Sequence, residues 1–444
     1  MYKKESLIIL QKALDKLSQG FNNLPPFESQ IPEKTEELLL QVAEKMHNNY
    51  PYHHPLYAGQ MLKPPHEIAR LSYMLAMWIN PNNHALDGGK ASSEMEKEAV
   101  KSIALMFGWK KYLGHLTSSG TIANLEALWV AGIIHPKKKI VASELAHYTH
   151  ERISKVLGLK FQKIDCERNG VMDLNKLETQ LKKGTIGTVV VSMGTTGTGS
   201  VDPLPEILKL QNKYNFRIHL DAAYGGYFIL ADNLSEDTLK KYSLMHKADS
   251  IVVDPHKHGL QPYGCGCILF RNPETGKYYK HDSPYTYFSS TELHLGEISL
   301  ECSRAGAAAV ALWATQKLFP LVKGDAFSRR MNSSHSAAIK LYNKINDDKR
   351  FITLMHPETD IVIWAQNRKS ISLINKSSKA LFEKAATKNL HLALFNYPVR
   401  LLPKHWEGIV KDEEYVTCLR SCLMKAEHEE WVDEIWRILS ECAK

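Results

Sequence analysis

Nowhere in the 444 residues is there an uninterrupted apolar run long enough for a helix to cross a bilayer, which takes about 18 to 20 residues. No membrane role is expected. The opening "MYKKESLIILQKALDKL" is interrupted by Lys12, Asp15 and Lys16 at helical period, so it reads as an amphipathic helix and not as a secretion signal. Low-complexity tracts and internal repeats are absent, and no block of one charge dominates. The net charge of +8 is spread thinly, and its densest run, "HPKKKI", reads as a solvated turn, so nucleic acid is not expected as a partner. Cysteine is sparse and unpatterned. The seven are odd in number and irregular in spacing, which suits free thiols in the cytoplasm rather than a disulfide framework. Cys265 and Cys267 have no second pair at matching spacing, which speaks against zinc. A Walker loop and a dinucleotide fingerprint are both missing.

What is present is a change of pattern along the chain. Residues 1–75 look helical, broken by the Pro- and Asn-rich stretches 22–32 and 48–59, and a helix is expected over 94–107. Short apolar runs then follow at 140–143, 159–165, 188–193, 217–221, 250–254 and 267–270, several bare rather than alternating. Such runs suit strands buried on both faces. Helical stretches at 119–134, 148–157, 173–182, 203–214 and 235–247 lie between most of them. This alternation predicts an α/β layer, a mostly parallel central sheet flanked by helices. One long helical stretch is expected over 304–344, bridging to a last lobe with its own mixed pattern. The expected divisions are a helical N-terminal segment (1–75), a large α/β domain (76–325) and a small α+β C-terminal domain (326–444).

In open α/β sheets ligands gather past the carboxyl ends of the strands, and the residues there are suggestive. "RIHLDAAYGGYF" puts Asp221 at a strand end, followed by Ala222 and Ala223. The carboxylate is either a solvated cap or an anion opposite a buried positive charge. "DPHKHG" puts Lys257 after the next strand, and a desolvated lysine becomes a neutral nucleophile that forms Schiff bases. "TSSGTIANLEAL" opens a helix with Ser118, Ser119, Gly120 and Thr121, either plain caps or an anion cradle made of free amides and the helix dipole. His147 follows another strand and is either a capping group or a flat packing partner. Thr196 lies in a Gly/Thr-rich loop after a further strand. Pyridoxal 5′-phosphate would use all of these together: an amine for its aldehyde, a carboxylate for its ring nitrogen, a cradle for its phosphate and a surface for its ring.

The order "TSSGTIANLEAL", "AHYTHERI", "HLDAAYGG" and "DPHKHG" resembles the pyridoxal-phosphate-dependent group II amino-acid decarboxylases, which include aromatic-L-amino-acid, tyrosine, glutamate and histidine decarboxylases. The resemblance runs from about residue 50 to the C-terminus. It implies a type I aminotransferase-like fold and a homodimer whose active sites are shared between subunits. By position it implies that Lys257 carries the cofactor, Asp221 pairs with its ring nitrogen, and His147 and Ala223 pack on its two faces. Ser119, Gly120 and His256 would hold the phosphate, with Thr196 near the ring substituents. The proton returned to Cα would come from a tyrosine in "HDSPYTYFSSTELHLGE", with Tyr287 preferred over Tyr285. His54, Tyr57, Tyr285 and Arg420 are candidate substrate contacts, and Arg304 a buttress of the site. The aromatic character of "YHHPLYAGQML" leans toward an aromatic amino acid such as tyrosine. "LECSRAGAAAVALW" is closer to the compact prokaryotic members than to the animal enzymes. The expected reaction is loss of CO2 from an L-amino acid to leave the amine. An aldehyde-lyase or an aminotransferase would share Lys257, Asp221 and the phosphate cradle, and a scaffold with a decayed site is the non-enzymatic alternative.

Overall fold

The computed structural model describes residues 3–25, 27, 29–280 and 295–443. It opens with three helices, α1 (Lys4–Gln19), α2 (Thr35–Met46) and α3 (Glu67–Met77). Not one residue of α2 is buried. A fourth helix, α4 (Lys90–Met106), buries Ala99, Val100, Ile103 and Ala104 along one face.

From there strands and helices alternate: β1 (Leu113–Thr117), α5 (Gly120–Ile134), β2 (Lys139–Ser143), α6 (Thr149–Val156), β3 (Phe161–Ile164), α7 (Leu174–Leu181), β4 (Ile186–Ser192), α8 (Leu204–Tyr214), β5 (Arg217–Asp221), α9 (Glu236–Ser243), β6 (Ser250–Val253) and β7 (Gly266–Phe270). The bare apolar runs are strands because β-branched side chains crowd a helix but fit a pleated layer covered on both faces. Every residue of β4 is buried. The seven strands form one sheet in the order β1-β7-β6-β5-β4-β2-β3. Strands β2 to β6 run parallel, while β7 is antiparallel to both its neighbours. In register, Ser192 pairs with Asp221 and Asp221 with Val252. Three central strands therefore end along one edge of the sheet.

Strand β1 is an addition to the strands read from the sequence. Its "LGHLT" lacks the β-branched density of the others, and Gly114 is required because a Cβ there would stand 2.7 Å from the Ile268 carbonyl oxygen.

The stretch expected as one helix over 304–344 is two, α10 (Gly306–Leu318) and α11 (Ala326–Asn346). Pro320 has no N–H to continue the ladder, and Gly324 takes φ +79°. The small lobe follows with β8 (Phe351–Thr353), β9 (Ile361–Gln366), α12 (Ile371–Ala386), β10 (Ala393–Pro398), β11 (Tyr415–Cys422) and α13 (His428–Cys442). Its antiparallel sheet has the order β10-β11-β9-β8 and its core contains Trp364 and Leu419. Leu56 and Ala58 pack into that core, and the Ala58 carbonyl accepts the Cys422 N–H at 2.7 Å. Among the described residues no helix is long and apolar enough to cross a membrane.

Candidate active site

The site is built on the strand ends. Asp221 closes β5, and its Oδ2 lies 2.8 Å from Nε2 of His150, which sits on α6 with its side chain fully buried. Its other oxygen accepts the Ala223 N–H at 3.2 Å. Burial alone pushes the Asp221 carboxyl up. The hydrogen bond from His150 and the nearby Lys257 charge outweigh it and hold the group well below the usual carboxylate range. Behind the pair lies His219, also buried, with Nδ1 2.8 Å from Ser250 Oγ and Nε2 2.8 Å from Asn124 Oδ1. Burial lowers the His219 ring to about 3, so it stays neutral.

Lys257 lies in the connection between β6 and β7. Its Nζ is 3.0 Å from Oδ2 of Asp254, the residue just past β6. The same oxygen is 3.4 Å from His256 Nε2. The other Asp254 oxygen is buried without a hydrogen-bond partner, as is Oγ of Ser192 at the end of β4. Asp254 is itself anchored, because its N–H donates to the Ala223 carbonyl at 3.2 Å. His256 lies against the Tyr263 ring at 4.9 Å, and burial lowers its pKa.

Helix α5 brings its N-terminus to the same place. Ser119 caps it by accepting the Ile122 N–H at 3.3 Å, so the serine is a helix cap as well as part of the cavity wall. Gly120 is needed: a Cβ would meet the Asp254 carboxylate at 2.5 Å. Behind β1, Arg304 is a buttress. Its guanidinium binds Glu96 at 2.6 Å and the Leu116 carbonyl at 2.7 Å, while Glu96 accepts the Leu116 N–H at 3.0 Å. This pins the strand that leads into Ser118 and Ser119.

One cavity unites most of the expected residues: Ser119, Gly120, Thr121, His147, Thr196, Asp221, Ala223, His256 and Lys257 all line it. Ser118 does not. It is exposed, and its N–H goes to the Glu301 carboxylate at 2.7 Å. His147 has its pKa lowered by burial and its ring stacked on Tyr148 at 4.5 Å. Residues not singled out from the sequence complete the wall, notably Asn124, Tyr224 and Asp254. His54 and Tyr57 do not line the cavity of their own chain. The His54 ring meets Trp431 edge-on at 4.8 Å, and Tyr57 is buried with Lys425 Nζ on its carbonyl at 2.6 Å. Arg420 is buried and reaches the cavity indirectly, donating to the Thr196 carbonyl at 2.9 Å and to Gln60 at 2.8 Å. Tyr285 and Tyr287 lie outside the described residues.

A buried carboxylate, a primary amine, a flat imidazole, a helix N-terminus and unpartnered polar atoms around one cavity fit a planar aldehyde with an anionic tail and a basic ring nitrogen. Fold and site together define a pyridoxal-phosphate enzyme. Comparison with known proteins agrees: a family model described as the pyridoxal-dependent decarboxylase conserved domain matches residues 20–366. The chain belongs to that family and is a pyridoxal-phosphate-dependent amino-acid decarboxylase, a carboxy-lyase. It is 26% identical to an L-tyrosine decarboxylase of Enterococcus faecium, over 87% of this chain and 84% of that enzyme. It is 30% identical to an L-aspartate decarboxylase of Thermococcus kodakarensis, over 64% of this chain and 72% of that enzyme. Among solved structures, the Oryza sativa TDC with PLP and tryptamine superposes with a TM-score of 0.80 at 15% identity, covering 99% of this chain and 98% of that one. A Rhodiola rosea 4-hydroxyphenylacetaldehyde synthase superposes with a TM-score of 0.77 at 18% identity, covering 100% and 98%. The fold is the type I aminotransferase-like one that the resemblance implies.

Proposed function

We propose that the chain decarboxylates an aromatic L-amino acid, tyrosine first, at the cavity between Lys257 and Asp221. The observation that carries the site is the pairing of Lys257 with Asp254 and of Asp221 with His150 on adjoining strand ends. The relatives that carry "tyrosine" or "tyrosine/aspartate" in their names support the substrate, with aspartate as the competitor to exclude.

Bound there, pyridoxal phosphate supplies an aldehyde that captures amines and a ring that takes up the electron pair left at Cα when CO2 departs. Lys257 is the residue to hold it, its amine kept at the cavity by Asp254. Asp221, ionised and held by His150, would keep a proton on the cofactor's ring nitrogen. His147 and Ala223, both lining the cavity, would pack against its ring. The start of α5, with Ser119, Gly120 and Thr121, together with His256, takes the phosphate, where free amides and the dipole favour an anion. Thr196 would approach the ring substituents, and Arg420 holds the Thr196 carbonyl in place.

Two finer readings belong to the same proposal. The chain works as a homodimer: α2 has no buried residue, and Leu38, Leu39 and Leu40 are exposed together with Ile8 and Ile9 of α1. Apolar surface of this kind marks a protein interface. The enzyme works in the cytoplasm, which suits seven unpaired cysteines, six of them buried.

The test is a screen of purified enzyme against aromatic, acidic, basic and sulfur amino acids, with CO2, amine and aldehyde all measured. Tyrosine is expected to give tyramine and CO2 in equal amounts. Turnover of aspartate alone, or an aldehyde in place of the amine, overturns the reading. Borohydride reduction is expected to fix a pyridoxyl group on Lys257, and Lys257→Ala is expected to lose both trapping and turnover.

A further inference from the structure

One of the places where the small lobe meets the cavity loops is the tripeptide Glu358-Thr359-Asp360, which comes just before β9. Glu358 accepts the Val201 N–H at 2.8 Å and Lys241 Nζ at 2.7 Å. Thr359 donates its hydroxyl to the Gly199 carbonyl at 3.1 Å. Both Val201 and Gly199 belong to the loop after β4 that carries Thr196. Asp360 goes deepest and is fully buried. Its Oδ1 accepts the Tyr224 hydroxyl at 2.5 Å. Its Oδ2 stands 3.2 Å from His258 Nε2, in ion-pair range though without hydrogen-bond geometry. Tyr224 is the residue after Ala223, and His258 the residue after Lys257. Their rings meet edge-on at 4.8 Å.

We propose that Asp360 is a positioning residue of the cofactor site, fixing Ala223 and Lys257 by holding the residue that follows each. The proposal rests on the reading that the cofactor is held at Lys257. Asp360 is a suitable fixed point, because its own carbonyl is tied to the small-lobe backbone by the Leu423 N–H at 2.8 Å. Holding Tyr224 holds the Ala223 carbonyl. That carbonyl receives the Asp254 N–H at 3.2 Å, and the Asp254 carboxylate lies 3.0 Å from Lys257 Nζ. His258 supplies the second and shorter route to the lysine. Neither Asp360 nor His258 lines the cavity, so both act through their neighbours. Burial pushes the Asp360 carboxyl up, but the neighbouring His258, the Tyr224 hydroxyl and Lys63 outweigh it and keep the group ionised. A buried network of this kind loses more than one bond's worth when its charged member is removed.

The test compares wild type with Asp360→Asn for three quantities: pyridoxal-phosphate dissociation constant, induced visible circular dichroism of the lysine-bound cofactor, and melting temperature of the cofactor-free chain. The expected result is binding weaker by about tenfold or more and an altered dichroism, with trapping on Lys257 retained at saturating cofactor. Wild-type affinity with unchanged dichroism overturns the proposal, even if the melting temperature falls. Should Asp360→Asn not fold, Tyr224→Phe and His258→Gln replace it. Weaker binding in either supports the proposal, and wild-type binding in both overturns it. If wild-type enzyme is not trapped on Lys257 at all, the underlying reading of the site fails instead.

Discussion

At the residue scale the proposed chemistry depends on keeping one carboxylate, Asp221, ionised. Asp221 would be driven up by burial were it not for His150. A His150→Phe substitution keeps an aromatic ring and removes the donor. Catalytic efficiency is expected to fall about 10- to 100-fold, the usual cost of losing an orienting partner, and the acid limb of the pH–rate profile is expected to move to higher pH. An unchanged profile would show that His150 only packs. His150 lies inside the quoted "AHYTHERI" yet is not singled out from the sequence; its place in the first turn of α6, three residues past His147, is the signal that marks it. Asn124 is similar, one turn beyond Gly120, where its Nδ2 donates to the Gly120 carbonyl at 2.9 Å. Lys257 and Asp221 are legible because their neighbours in sequence are themselves diagnostic: tiny residues beside one, imidazoles beside the other.

At the scale of elements, the strands buried on both faces are legible, and of the edge strands β3 is read from the sequence while β1, β8 and β10 are not. The β10 segment "ALFNYP" alternates buried and exposed residues and ends in proline, which a central strand does not tolerate. The bridge helix is misread because its apolar pattern persists across Pro320 while its backbone cannot. Two buried histidines connect elements to pH. His219 in β5 and His428 at the start of α13 are both lowered by burial to about 3. Each binds a proton more readily in the unfolded chain, where the ring titrates near 6.5. Their contribution is complete above that value and is lost as pH falls toward 3, at about 1.4 kcal/mol per pH unit for each ring. The thermal midpoint is therefore expected to drop steadily below pH 6.5, and His428→Gln to flatten that slope. A midpoint independent of pH between 4 and 6.5, about the window these shifts define, would contradict the assignment.

For the whole molecule, the arrangement of lobes is the part the sequence conceals most. Nothing near Asp360 in the chain points to Tyr224 or His258, because docking of one lobe on another is set by shape and by partners distant in sequence. The N-terminal helices pose the same problem between chains. Removing residues 1–46 is expected to turn a dimer into a monomer in sedimentation velocity, with activity lost alongside; a truncated chain that stays dimeric and active would remove the assembly role given to α1 and α2. Helix α2 carries one more consequence. An isolated helix of 12 residues is marginal in water, and this one buries none of its residues against its own chain. In the proposed dimer its order comes from the other copy, so mass action governs it: tenfold dilution weakens the drive to associate by about 1.4 kcal/mol. In such a dimer stability would depend on how much enzyme is present, and dilution for assay would leave the enzyme less folded than in its storage tube.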